Sequence, residues 1–408
     1  MTRRDLLTTL GVAGIAAWLP EEMAIAGGGS GAAPVTESRK AYQDLLRTMQ
    51  ELDSRFLSPE WKVDRPEDII LGHRYLAHLL SYAFDVLFEA DLDRPVFRRM
   101  VGPQRKFMGD NADAVYFAAY IRPDRTYRIR GNTAGATYTS ITLEKGTRDG
   151  HWPTGVALAI NVDDLHVAPD GSYELLLGPE KQPGNWYKID PEVGNLTTRH
   201  YFEQERSVAA DTAKVIPLSI EPLDAVGPRP APDDARVAAG LRRVINFMRS
   251  TTIDMPPFMQ PGKVPSWVST VPNRFNPAEK PGTSIGASFQ DAAYTMAPFA
   301  LKPDEALVID GRFPKCRFAN VNLWTRFQQT FDYTTRTISL NRKQTKLEAD
   351  GSFRMVVART NPGVANWLDT EGNPSGLMFW RFVLPEEPIA PLRAQVVPLA
   401  QVTKAGRA

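Results

Sequence analysis

The two halves of this 408-residue chain repeat each other. Pro123-Asp124-Arg125-Thr126-Tyr127-Arg128-Ile129-Arg130-Gly131 returns as Pro303-Asp304-Glu305-Ala306-Leu307-Val308-Ile309-Asp310-Gly311, a shift of 180 residues. The same shift carries Asp170-Gly171-Ser172 onto Asp350-Gly351-Ser352. Two internal copies mean two like domains, with any site built on or between them.

The copies share strand phase as well as spacing. Tyr127 and Ile129 alternate with polar neighbours, and so do Tyr173, Leu175 and Leu177; Leu307 and Ile309, then Phe353, Met355 and Val357, take their places in the second copy. Period-two alternation at a fixed offset predicts the same strands with the same buried face. Each copy ends on an Asn-Trp pair, Pro183-Gly184-Asn185-Trp186 and Pro362-Gly363-Val364-Ala365-Asn366-Trp367, followed by a strand carrying one arginine, Arg199 or Arg381. The expected fold is therefore mainly β with some α: two tandem antiparallel β-sandwich repeats of jelly-roll type at residues 109–222 and 285–400.

Helical spacing precedes them over residues 38–108, where Tyr42, Leu45, Leu46 and Met49 recur at three and four, as do Ile69, Leu76, Leu79, Phe84 and Leu87. A short helix through Phe97 and Met100 is expected after Asp93-Arg94-Pro95. Between the copies, residues 223–284 form a linker. One helix opens near Asp233 with Val237, Leu241, Val244, Ile245 and Met248 as its apolar stripe, and a proline-rich extended loop follows.

Composition narrows the function classes. Lys plus Arg total 48 against 47 Asp plus Glu, so no whole-molecule field favours nucleic acid. Cys316 is the single cysteine, which excludes an internal disulfide and reads as a buried thiol. Arg3-Arg4 precede an apolar run from Leu6 to Leu19 and the small-residue pattern Ala24-Ile25-Ala26. Residues 1–26 thus read as an export signal of twin-arginine character, with 27–37 a flexible leader, and a periplasmic or secreted protein is expected. The run is too short and interrupted for a transmembrane span.

Beyond these patterns, Asn361 to Gly372 followed by Gly376-Leu377-Met378-Phe379-Trp380-Arg381 resembles the family called domain of unknown function 1214. Pro183 to Trp186 with Thr198 to Phe202, Gly109 to Tyr116, and Gly72-His73-Arg74-Tyr75-Leu76 resemble it too, in order, over nearly all of the chain after the leader. One departure is Asn373, where the resemblance leads one to expect histidine. What it implies is tandem β-sandwich repeats with helical decoration in bacteria, and no settled activity.

No catalytic signature stands out. The five histidines show no ligand spacing, with His73 and His78 on different helix faces, so no metal or other cofactor is expected. No strand-to-helix nucleophile elbow is read, and Walker and dinucleotide motifs are absent. The candidates are of three kinds. Arg199 and Arg381 either line an anion site or staple loops, and Trp186 and Trp367 either cover the core or stack on a sugar. Asn320, Asn322 and Trp324 sit where the copies differ, opposite Ser140 and Thr142 in the first, and so mark one face as special. Asp110 and Tyr116 are weak candidates for acid–base work. The leading expectation is an uncatalysed cleft between sandwiches holding a small polar or glycan-like ligand, with a hydrolase or lyase and a structural envelope protein as the competing classes.

Overall fold

Strands that are apolar at every second position need a second sheet to cover them, and each half of the chain supplies one. The computed structural model describes residues 34–255, 264–283 and 285–405. The expected export signal, most of the leader and residues 256–263 of the proline-rich loop lie outside the described residues.

In the first half, strands β1 (Arg98–Arg99), β2 (Ala114–Tyr120), β4 (Tyr138–Lys145), β5 (Gly155–Asn161) and β8 (Val193–Tyr201) form a sheet of order β1-β2-β8-β4-β5. Strands β3 (Tyr127–Asn132), β6 (Ser172–Gly178), β7 (Trp186–Lys188) and β9 (Leu218–Pro222) form its partner, β7-β6-β3-β9. The second half repeats the plan. Strands β10 (Ala292–Ala300), β12 (Phe318–Trp324), β13 (Ser339–Asn341) and β16 (Ser375–Val383) run in the order β10-β16-β12-β13. Facing them, β11 (Glu305–Gly311), β14 (Phe353–Ala358), β15 (Trp367–Asp369) and β17 (Arg393–Pro398) run β15-β14-β11-β17. All ladders are antiparallel except β6–β7 and β14–β15, the short strands that follow the Asn-Trp turns.

Each sandwich has its own core, around Ile129, Ile141, Leu175 and Leu196 in the first and Ile309, Val321, Met355 and Trp380 in the second. Cys316 belongs to the second core, and burial pushes its thiol up to about 11. The repeated turn serines do the same work in both copies: Ser172 and Ser352 each donate to the preceding aspartate, Asp170 or Asp350, at 2.6 Å.

The helical segment departs from its expected stripe. Helix α1 (Glu37–Glu51) buries Ala41, Leu45 and Thr48, while Tyr42 and Leu46 are exposed. The chain continues helically through Leu52–Phe56, and burying Leu52 draws the positions four and seven before it inward. Helix α2 (Pro66–Tyr82) buries Tyr75, Leu76, Leu79 and Tyr82. Residues 93–100 are not helical. Pro95 breaks the run, and Arg98 and Arg99 instead pair with Ala118 and Phe117 as β1. Helix α3 (Asp234–Ser250) starts where Asp233 accepts the Arg236 N–H at 2.8 Å, and it buries Leu241, Val244 and Met248. The described part of the proline-rich loop lies along β10: Ser269 N–H donates to Met296 O at 2.8 Å and Glu279 N–H to Tyr294 O at 3.0 Å.

The sheets holding β8 and β16 also bury their second faces, against each other, through Tyr138, Tyr201, Phe318 and Phe379 among others. A reciprocal exchange of hydrogen bonds locks this junction. Asp113, just before β2, accepts from Asn341 Nδ2 at 3.1 Å, Asn320 Nδ2 at 2.8 Å and Ser339 Oγ at 3.1 Å, all from the second half. Asp291, just before β10, accepts from Asn161 Nδ2 at 3.1 Å and Tyr138 Oη at 2.5 Å, both from the first. Asn161 faces Ser140 across its ladder as Asn341 faces Asn320, so the two aspartates and two asparagines are equivalent pairs about a pseudo-twofold axis. Bidentate Arg342–Glu203 contacts at 2.6 and 2.7 Å add a further bond between the halves.

Candidate functional site: a cleft between the sandwiches

Where the two facing sheets diverge beyond that junction they leave a cavity of about 330 Å³. Its walls come from β2, β8, β10, β12 and β16, with Met108 and Gly109 from the loop between β1 and β2 and Pro265, Trp267 and Ala287 from the linker and its continuation. Register places a tyrosine beside each repeat's arginine: Tyr116 pairs with Arg199 across β2–β8, and Tyr294 with Arg381 across β10–β16. All four line the cavity, so the pseudo-twofold presents two Tyr–Arg pairs to one space.

The two arginines are held differently. Arg199 donates from Nη1 to Thr142 Oγ1 at 2.6 Å and from Nη2 to Ala287 O at 3.0 Å, and lies 3.6 Å from Glu144 Oε1. Burial pushes the Glu144 carboxyl up to about 7 against the opposing pull of Arg199. Arg381 donates from Nη2 to Gly109 O at 2.7 Å, and its buried Nη1 has no hydrogen-bond partner among the described residues. No carboxylate among the described residues forms an ion pair with it, although only 5% of the residue is exposed. Its guanidinium lies 4.4 Å from the Phe379 ring centroid and 5.2 Å from that of Trp324, and those two rings stack at 4.4 Å. Gly109, with φ +87°, is required here: a Cβ would stand 3.2 Å from the Trp324 ring.

The remaining candidates divide by position. Trp324 forms part of the wall, its Nε1 donating to Asp110 O at 2.9 Å. Asn320 and Asn322 do not reach the cavity. They are fully buried, both donating to Asn111 Oδ1, at 2.8 and 3.2 Å, and Asn322 Oδ1 accepts the Ala112 N–H at 3.1 Å. Asp110 borders the space, but its oxygens accept from Thr330 N–H at 2.8 Å and from Thr330 Oγ1. Tyr116 is a neutral phenol because burial raises it well above its ordinary value; its hydroxyl donates to that of Tyr201 at 3.2 Å. Trp186 and Trp367 lie on β7 and β15, the edges of the outer sheets, away from this cavity. Trp367 Nε1 closes on Ala358 O at 3.1 Å, and Asn366 Nδ2 on Lys346 O at 2.7 Å and Arg354 O at 2.9 Å. Among the described residues no group of three histidine, cysteine or carboxylate side chains is arranged to hold a metal.

Tyr294, Tyr201, Phe289 and Phe379 were not singled out from the sequence. A signal for Tyr294 existed: Asp113-Ala114-Val115-Tyr116 recurs as Asp291-Ala292-Ala293-Tyr294. That recurrence sits at a shift of 178 and is missed by a comparison at fixed offset.

No family model matches the chain, and no curated protein does. Among solved structures, an uncharacterized protein from Burkholderia cenocepacia is 30% identical to it. The match covers 89% of this chain and 98% of that one, with a TM-score of 0.75. The chain belongs to the family of that protein. A Vibrio parahaemolyticus protein matches over 79% of this chain and 98% of its own, at 12% identity and a TM-score of 0.45. No helix of the described residues is long and apolar enough to cross a membrane.

Proposed function

We propose that this is an exported periplasmic binding protein whose inter-sandwich cleft holds a small anionic ligand. The observation that carries the reading is Arg381, a buried cation with a free Nη1 and no ion-pairing carboxylate among the described residues. A buried charge without a counter-charge is unfavourable by several kcal/mol on an order-of-magnitude scale, and an entering anion would relieve it. Arg199, balanced by Glu144, supplies a second positive edge, and the Tyr116–Tyr201 pair retains one hydroxyl proton beyond the one it shares.

The cavity chemistry favours this over a glycan, because its walls are predominantly apolar with few uncommitted polar groups and the two Asn-Trp pairs fold loops elsewhere. It also favours binding over hydrolysis: Asp110 is engaged by Thr330, and Tyr116 stays protonated at neutral pH. Export rests on Arg3-Arg4 and the apolar stretch that follows. On this reading the motifs that resemble domain of unknown function 1214 are scaffold.

Titration with octanoate, followed by calorimetry and by quenching of tryptophan fluorescence, tests the reading. Arg381→Gln is expected to weaken binding about 10- to 100-fold, the range for losing a hydrogen bond to a charged group at about 1.5–3 kcal/mol. Equal affinity in the two proteins, or no binding by wild type, would overturn it.

A further inference from the structure

A second cavity, of about 390 Å³, lies against the first. Met108, Met255 and Gln328 line both, so the boundary between them is made partly of flexible side chains, two of them unbranched thioethers that repack readily. The second space runs between the helical segment and the second sandwich. Its walls include the apolar Phe56, Val63, Phe299, Phe327 and Leu377, with Thr251, Thr252, Thr270 and Ser375 among them. Its far side carries Lys62 and Arg65, both exposed to solvent, and Arg326; the two arginines share Asp68 at 2.8 Å. One end of the combined space therefore has a buried cation with a free Nη1, the middle is largely hydrocarbon and aromatic, and the far end opens among solvent-exposed cations.

Charge balance sets the head group. Arg199 is matched by Glu144, and Asp110 at the border of the cavity by the buried Lys106, so Arg381 leaves room for a single negative charge. A carboxylate suits that balance and offers one oxygen to Arg381 Nη1 and another to a tyrosine hydroxyl. We infer that the ligand is a long-chain monocarboxylate whose head meets Arg381 and whose apolar chain passes between Met108 and Met255 into the second cavity. This inference rests on the anion-binding reading above and adds the length and polarity of the ligand.

The test compares octanoate with dodecanoate in the full-length mature protein. Burying extra methylenes at up to about fourfold each should make dodecanoate bind at least tenfold tighter. Met255→Trp, which fills the junction from a loop position, should weaken dodecanoate far more than octanoate and so remove that gain. As a readout independent of any variant, ω-bromododecanoate in crystals of wild type should show its bromine in the second cavity, near Phe299 or Phe327. If both chains bind equally through Arg381, or the bromine lies outside that cavity, the chain-length inference falls while the anion site stands. If neither binds, or binding ignores Arg381→Gln, the reading beneath it falls.

Discussion

Replacing Asp113 with alanine is expected to destabilise the protein by about 3–5 kcal/mol, read as a lowered urea midpoint. Asp113 is completely buried, and so are the three groups that donate to it, Asn320, Asn341 and Ser339. Alanine would leave the Ser339 hydroxyl and one N–H of each asparagine without an acceptor where water cannot reach, and the loss falls on the junction between the halves. The equivalent Asp291→Ala should cost less, about 1–2 kcal/mol, because Asp291 is half-buried and solvent can replace part of what is lost. The pH dependence has a definite sign. Burial holds the Asp113 carboxyl up at about 6, above its ordinary 3.8, so the folded state binds the proton more tightly than the unfolded one. Its contribution is greatest below about pH 4 and declines as pH rises to about 6. The gap between wild type and Asp113→Ala should therefore be wider at pH 4 than at pH 7.

Arg199→Met is the second large effect, and it grows with pH. The substitution keeps the apolar volume of the stem but leaves Glu144, with no exposed surface, lacking its cation. At pH 8 the cost is expected to be about 3–5 kcal/mol, as for other broken buried pairs. Glu144 already titrates near 7 in the folded protein, above its ordinary 4.5, so its stabilising contribution is full below about 4.5 and falls as pH rises through 7. Removing Arg199 raises that carboxyl further, and the decline then continues to higher pH. At pH 5 Glu144 is neutral in both proteins and the difference should be small. Adding Glu144→Gln to Arg199→Met should flatten the pH dependence, since the amide keeps an oxygen for the Ala287 N–H now bonded at 3.0 Å. A cost that stays constant from pH 5 to pH 8 would mean that the pair does not carry the effect.

The architecture was legible because duplication writes the same turns and the same strand phase twice. The Asp-Gly-Ser turns and the loop-closing asparagines, Asn185 and Asn366, are local bonds that short sequence stretches can announce. The cleft was harder to read, for a physical reason. Every residue of β8 and β12 is buried, since one face packs into its own sandwich and the other meets the opposite half. Two buried faces erase the alternation that would show which side chains look outward. Thr198 and Arg199 are equally hidden, but only Arg199 points into the cavity.

Asn320 and Asn322 show the converse. Departing from Ser140 and Thr142, they looked like residues freed from the repeat, yet they answer Asn111 and Asp113 more than 200 positions away. No local pattern reports such a partner. The cavity residues follow the pseudo-symmetry: Tyr116–Arg199 and Tyr294–Arg381 occupy the same ladder positions in the two halves. What differs between them is charge balance, because Glu144 stands behind Arg199 and no carboxylate among the described residues pairs with Arg381.

That difference is the centre of the account, and a crystal structure with octanoate bound tests it most directly. The carboxylate is predicted to lie within about 3 Å of Arg381 Nη1, beside the stacked Trp324 and Phe379 rings. Octanoate bound elsewhere, with Arg381 Nη1 still unpartnered or turned to a protein carboxylate, would contradict it.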